Sequence, residues 1–147
     1  MKAEWVTWFV LGLVLTVLPL HPLVSADALA KSDKRKTVSS WTYKRLSEIQ
    51  EDLGKDRFSS ALKRLESLSG KSRLNSHELA LVWQMYGFTY SMQGRYAEAA
   101  KSFEKCLAKD SLPESTTQHT RYNLAQAYLG SEAFRKAIGE LNQWLSV

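Results

Sequence analysis

Three histidines, one cysteine and a scatter of serines are the side chains here that could do metal or covalent chemistry. None stands in the pattern such chemistry needs. A hydrolytic zinc site places two histidines one helical turn apart with a glutamate beside the first, and a closed structural site needs paired cysteines. His21, His77 and His119 stand far apart in the chain, and Cys106 is alone. A lone cysteine also forms no intramolecular disulfide, and Cys106 falls on an apolar helical face, where it reads as a small core hydrophobe. Serine nucleophiles of the GxSxG kind need a tight turn and a base at readable spacing; neither is present. The seven glycines stand singly, so no loop cradles a phosphate. These absences lead us to expect no enzyme, no cofactor and no metal. The chemistry that remains is recognition by amides and aromatic rings.

The elements that must position such groups centre on the stretch from Ala80 to Ser111, which reads as two helices and a tight turn. Leu81, Trp83, Tyr86, Gly87 and Tyr90 carry the apolar positions of the first helix. Gly94 stops it, because glycine takes the left-handed conformation of a helix end without steric cost. Tyr96, Ala99, Ala100, Phe103, Cys106 and Leu107 then recur at spacings of 3, 1, 3, 3 and 1, which is helical amphipathicity. Gly87 and Ala99 mark the closest approach of two antiparallel helices, with Trp83, Tyr90 and Phe103 filling the space around them. Trp, Gly four later, Tyr three after that, Ala nine later and Phe four later: in order and spacing this resembles the tetratricopeptide repeat. The terminal proline of that pattern is displaced to Pro113.

Flanking hairpins echo the central one. Upstream, Leu46, Ile49 and Leu53 make a helix ended by Gly54. Asp56 reads as the N-cap of the next, which carries Phe58, Ala61, Leu62, Leu65 and Leu68 and ends at Gly70. Phe58, Ala61 and Leu65 precede Tyr96, Ala99 and Phe103 by one common offset. Ile49 and Asp52 replace the Gly and Tyr of the pattern, as suits a degenerate terminal repeat. Asn75 or Ser76 caps the central hairpin. Downstream, Pro113 and Glu114 suit a helix start. Leu124, Ala125 and Tyr128, then Phe134, Ala137 and Leu141, restate the set at that same offset again. The usual period is about 34 and the step from Tyr96 to Phe134 exceeds it, so the connection before the third repeat is expected to be about four residues longer.

The expected fold is therefore all-α: a TPR-like right-handed superhelix of antiparallel helical hairpins. About three repeats (six helices) cover roughly 42–74, 76–111 and 114–147 of a domain spanning 41–147. Hairpins stack because none buries its apolar face alone. Trp144 and Leu145 close the last helix and leave an apolar end, a surface for self-association.

Ahead of this domain stands a targeting segment. Lys2 precedes an apolar run from Trp5 to Leu18; Pro19 and Pro22 follow, and Val24-Ser25-Ala26 offers a cleavage site. That order is a secretory signal over residues 1–26, and the run is short of the ~20 residues that span a bilayer. The alternative is retention as an uncleaved anchor. Residues 27–40 read as a flexible polar linker with a short basic run, Lys34-Arg35-Lys36. The formal charge is +5, but the 20 basic and 15 acidic residues are interspersed along the chain. Nucleic-acid binders concentrate their cations on one element, so no nucleic-acid partner is expected, and membrane contact is expected only through an uncleaved signal.

A narrower resemblance rests on Tyr43-Lys44-Arg45-Leu46, Phe58-Ser59-Ser60-Ala61-Leu62, Gly87-Phe88-Thr89-Tyr90, Leu112-Pro113-Glu114 and Arg121-Tyr122-Asn123-Leu124-Ala125-Gln126. With these the chain is similar to exported bacterial TPR proteins encoded with TonB-type energy-transduction systems. The resemblance implies a non-catalytic interaction scaffold in the periplasm, accessory to TonB-dependent transport, with a protein or extended peptide as partner. The alternative is an assembly component of an envelope machine, of pilus or secretion type, that self-associates through its C-terminal end. In TPR arrays the first helix of each hairpin lines a concave groove. This implies groove positions at Leu81, Gln84, Phe88 and Ser91, and at His119, Tyr122, Asn123 and Gln126. The chaperone-binding members of the family clamp a C-terminal carboxylate with Lys, Asn and Arg; only Asn123 coincides here, so that function is not expected.

Overall fold

A computed structural model describes residues 37–146. The segment read as a signal and most of the linker lie outside the described residues. Six helices follow one another: α1 Ser40–Gly54, α2 Phe58–Ser69, α3 Ser76–Met92, α4 Tyr96–Leu107, α5 Glu114–Gly130 and α6 Phe134–Leu145. Among the described residues there is no strand, so the all-α expectation holds. Each helix packs on its neighbours in sequence, and α1 also reaches α3.

The period is regular. Both α3 and α5 have 17 residues, while α2, α4 and α6 have 12 each. The connections 70–75 and 108–113 are of equal length. The longer period is thus shared by both steps of the array, not inserted ahead of the third hairpin.

Helix starts are secured unequally. Asn75 forms a capping box with α3: its Oδ1 accepts from the Glu78 N–H at 2.9 Å, and Glu78 Oε2 accepts from the Asn75 N–H at 3.0 Å. Glu78 Oε1 also accepts from the Ser39 N–H at 2.9 Å, joining the start of α1 to the start of α3. Burial alone would raise the Glu78 pKa; the Asn75 and Ser39 amides and the Ser39 and Thr42 hydroxyls outweigh it and hold it below its ordinary value. By contrast α2, α4 and α6 have no side-chain cap.

Their entry is set by the turn before them. The Arg57, Arg95 and Ala133 amides donate to the carbonyls of Asp52, Tyr90 and Tyr128 at 2.8, 2.9 and 2.8 Å. One residue earlier, the Asp56, Gly94 and Glu132 amides donate to Leu53, Ser91 and Leu129. This paired pattern is the Schellman closure, and its middle residue must be left-handed. Gly94 is so, at φ 72°; Asp56 and Glu132 are too, at 53° and 62°. Asp56 therefore does not cap α2: it closes α1, and Arg57 holds the N-cap position.

Two apolar clusters fill the array. Leu46, Ile49, Leu65, Leu68 and Val82 join α1, α2 and α3. Phe103, Leu124, Ala127 and Ala137 join α4, α5 and α6. Tyr90 packs against both. At Asp52, the position held by Tyr90 and Tyr128 in the later hairpins, a carboxylate is almost fully enclosed at 2% exposure. Its Oδ1 accepts from Arg57 Nε at 2.9 Å and Nη2 at 2.6 Å; its Oδ2 accepts from Ser60 Oγ at 2.7 Å and Arg64 Nε at 2.9 Å. Every lone-pair direction is met, which is the condition for enclosing a charge.

Candidate partner-binding surface

The expected groove divides once its residues are placed. Gln84 is buried, and its Nε2 donates to Thr120 Oγ1 at 2.9 Å, stitching α3 to α5. It is an interior strut, not a groove ligand, and this corrects the expectation. The cause is the regular stacking, which lays the next hairpin over this face of α3. Phe88 is half-buried and meets Phe103 edge-on, with ring centroids 5.5 Å apart; its ring lines the core. Leu81 packs against the first apolar cluster. Ser91 is half-buried, and its carbonyl serves the turn by accepting from the Gly94 amide.

On α5 the outcome differs. His119 and Gln126 are exposed and Asn123 is half-buried. At spacings of four and three they share one face of the helix and present an imidazole and two amides. Tyr122 is the equivalent of Gln84 one repeat later; its ring is 40% exposed and tilts against Trp144, with centroids 5.3 Å apart. Of the candidate groove residues, His119, Asn123 and Gln126 form one open polar strip.

A second surface was not anticipated. Between α1 and α2 lies a cavity of about 370 Å³ lined by Trp41, Arg45, Arg64, Ser67, Leu68 and Lys71. The Arg73 guanidinium lies 3.3 Å from the centroid of the Trp41 ring, and that of Arg45 lies at 5.8 Å. Between α3 and α4 lies a cavity of about 290 Å³, whose lining includes Trp83, Tyr86, Tyr90, Lys101 and Lys105. Here the rings run as a ladder: Trp83 on Tyr86 at 5.1 Å, and Tyr86 on Tyr90 at 6.0 Å. Lys105 Nζ stands 4.2 Å from Trp83, and the Arg95 guanidinium 4.5 Å from Tyr90. Cations over ring faces are attracted by the ring quadrupole. The signal for this surface was in the sequence: Arg45, Arg64 and Ser67 stand one repeat period before Trp83, Ser102 and Lys105, so the two cavities are one crevice of the repeat seen twice.

Cys106 is fully buried, and burial pushes its thiol up to about 12. His77 is buried, with Nδ1 2.9 Å from the Ser111 carbonyl, which fixes the proton on that nitrogen. Among the described residues no group of His, Cys, Asp and Glu is placed to hold a metal ion.

Comparison with curated proteins and with solved structures gives no match. Residues 80–112 do match a family model, that of the tetratricopeptide repeat. These residues run from Ala80, in the second turn of α3, through α4 and into the connection after it. The central hairpin of this helical array thus matches the tetratricopeptide repeat, whose family serves in general as a non-catalytic module for binding protein partners.

Proposed function

We propose that this protein is an exported interaction scaffold of the bacterial periplasm, accessory to TonB-dependent transport, that holds a protein or extended peptide partner. The observation that carries the scaffold reading is the tetratricopeptide repeat at 80–112 set in a continuous array of six helices. Export is supported by the order of Lys2, the apolar run and Val24-Ser25-Ala26. The TonB association is supported by the resemblance carried by the segments from Tyr43 to Gln126. The open strip of His119, Asn123 and Gln126 offers donors and acceptors for a peptide backbone. The test is a photo-crosslinking residue placed at Gln126 in the full chain, followed by cell fractionation. The expected result is a periplasmic adduct containing a TonB-system component. A chain that stays in the cytoplasm would overturn the export reading, and a periplasmic chain whose adducts never include that system would overturn the TonB reading.

One observation favours a second reading, that of an envelope assembly component. Leu129, Phe134, Ile138 and Leu145 are exposed on α5 and α6, Ile138 at 58%. Ala100, the equivalent of Ile138 one repeat earlier, is buried at 4% in the packing of α4 with α5. The position that the preceding hairpin buries as Ala100 is thus held on α6 by an exposed isoleucine. This reading predicts oligomers in light scattering that grow with concentration and vanish on Trp144→Glu or Ile138→Glu; a monomer at all concentrations removes it.

A further inference from the structure

The crevices of the first two hairpins hold more recognition chemistry than the strip on α5. They are also contiguous. The last turn of α2 joins them: Ser67 and Leu68 line the first, and Leu68 shares one apolar cluster with Tyr86, which lines the second. We infer that together they form one binding surface for an acidic, extended peptide segment of a partner protein. The inference rests on the scaffold reading and names the chemistry of its partner.

Charge argues first. Lys71, Arg73 and Lys105 make no ion pair among the described residues, although each lies at or beside a crevice. Arg45, Arg57 and Arg64 share two carboxylates, Glu48 and Asp52, so this group keeps one net positive charge. Complementary potential then favours a negative ligand and steers its approach. Cations that are interspersed along the sequence are gathered here by the fold.

Shape and ring geometry argue next. The partly exposed rings of Trp83 and Tyr90, joined through the buried Tyr86, lie among the cations. An extended peptide with spaced carboxylates matches that alternation, setting its acids on Lys and Arg and its intervening side chains on the rings. A nucleic-acid strand matches less well, because its phosphates follow one another without interruption and Glu48 and Glu98 interrupt the cations. The third hairpin marks the limit of the surface. Its equivalent crevice is closed by Arg121, which bonds Glu140 at 3.1 Å and also Gln143.

The test is fluorescence anisotropy on the full chain with a labelled peptide of alternating glutamate and proline, against the same design with lysine and against a labelled oligouridylate. The glutamate peptide is expected to bind, more weakly as salt rises. Lys71→Glu and Lys105→Glu, one in each crevice, are each expected to weaken binding at least tenfold. Arg135→Glu, the same change of net charge on α6, is expected to leave binding unchanged. Lys71→Gln and Lys105→Gln repeat the test without a new charge, and circular dichroism checks that each variant is folded. Absence of binding, an equal loss in Arg135→Glu, or tighter binding of the oligouridylate would each overturn the inference. Periplasmic capture of a partner without binding of the glutamate peptide would overturn this inference alone; binding without capture would overturn only the periplasmic reading.

Discussion

Gly87 and Phe103 touch across the central hairpin with no room for another atom: a Cβ on Gly87 would stand 2.4 Å from Cε1 of the Phe103 ring. Phe103 is fully buried, so its ring cannot swing into solvent. In the first hairpin the two positions are held by Ile49 and Leu65, and in the third by Ala125 and Leu141. A larger residue on the first helix goes with a smaller one on the second. Gly87→Ala is therefore expected to destabilise by about 1–3 kcal/mol, as overpacking does, although alanine favours a helix over glycine by about 1 kcal/mol. Phe103→Leu in the same chain is expected to recover part of the loss. Denaturant unfolding of the two single variants and the double variant measures the coupling; additive losses would mean the two residues do not share this space.

The three Schellman turns make a second prediction. Glu132 and Asp56 adopt positive φ with a side chain attached, whereas Gly94 does so freely. A left-handed residue with a Cβ costs roughly 1–2 kcal/mol. Glu132→Gly is expected to raise stability by about 1 kcal/mol and Gly94→Ala to lower it by a similar amount. Thermal melts should move in opposite directions, and a Glu132→Gly variant less stable than the parent would show that its side chain does more than tolerate the turn.

These turns also show what a sequence discloses. Helix extents, the buried faces and Gly94 follow from periodicity and from the one residue type suited to positive φ. Asp56 did not announce its conformation, because only the hydrogen bonds of the finished turn demand it. Gln84 reads as a surface amide, and its burial appears only when α5 lies against α3 with Thr120 in register. Asp52 is hidden for the same reason, since Arg57 from the turn and Ser60 and Arg64 from α2 converge on it. His119, Asn123 and Gln126 share one face of α5 by helical spacing, and the repeat resemblance is what singles out that helix. The cation-covered rings were legible only in part: the repeat offset aligns Arg45, Arg64 and Ser67 with Trp83, Ser102 and Lys105, but Arg73 reaches Trp41 from the connection between α2 and α3.

Asp52 supplies a pH dependence. Donation from Ser60 and then from Arg57 draws its pKa down from 3.8 to about 2. A depressed carboxyl stabilises the fold above its unfolded value, and that contribution is lost as pH falls through the folded one. The window is thus from about pH 4 down to about pH 2. Asp52→Asn keeps the shape and removes the charge. The gap in melting temperature between parent and variant is expected to be constant above pH 5, to narrow below pH 4 and to close near pH 2. A gap independent of pH across that window would show that Asp52 acts by shape and not by charge.

Cys106 offers a probe of the central hairpin from inside. Its side chain has no exposure, and burial holds the thiol near 12. Only the thiolate attacks a disulfide reagent at an appreciable rate. Labelling at pH 8 must therefore wait for the hairpin to open, and its rate reports the free energy of opening. The native chain is expected to react far more slowly than chain unfolded in guanidinium, and Gly87→Ala to react faster than the parent because it weakens the packing of α3 on α4. Rapid stoichiometric labelling of the native chain would mean that α4 leaves the array without global unfolding. The hairpin that matches the tetratricopeptide repeat would then be its least stable part.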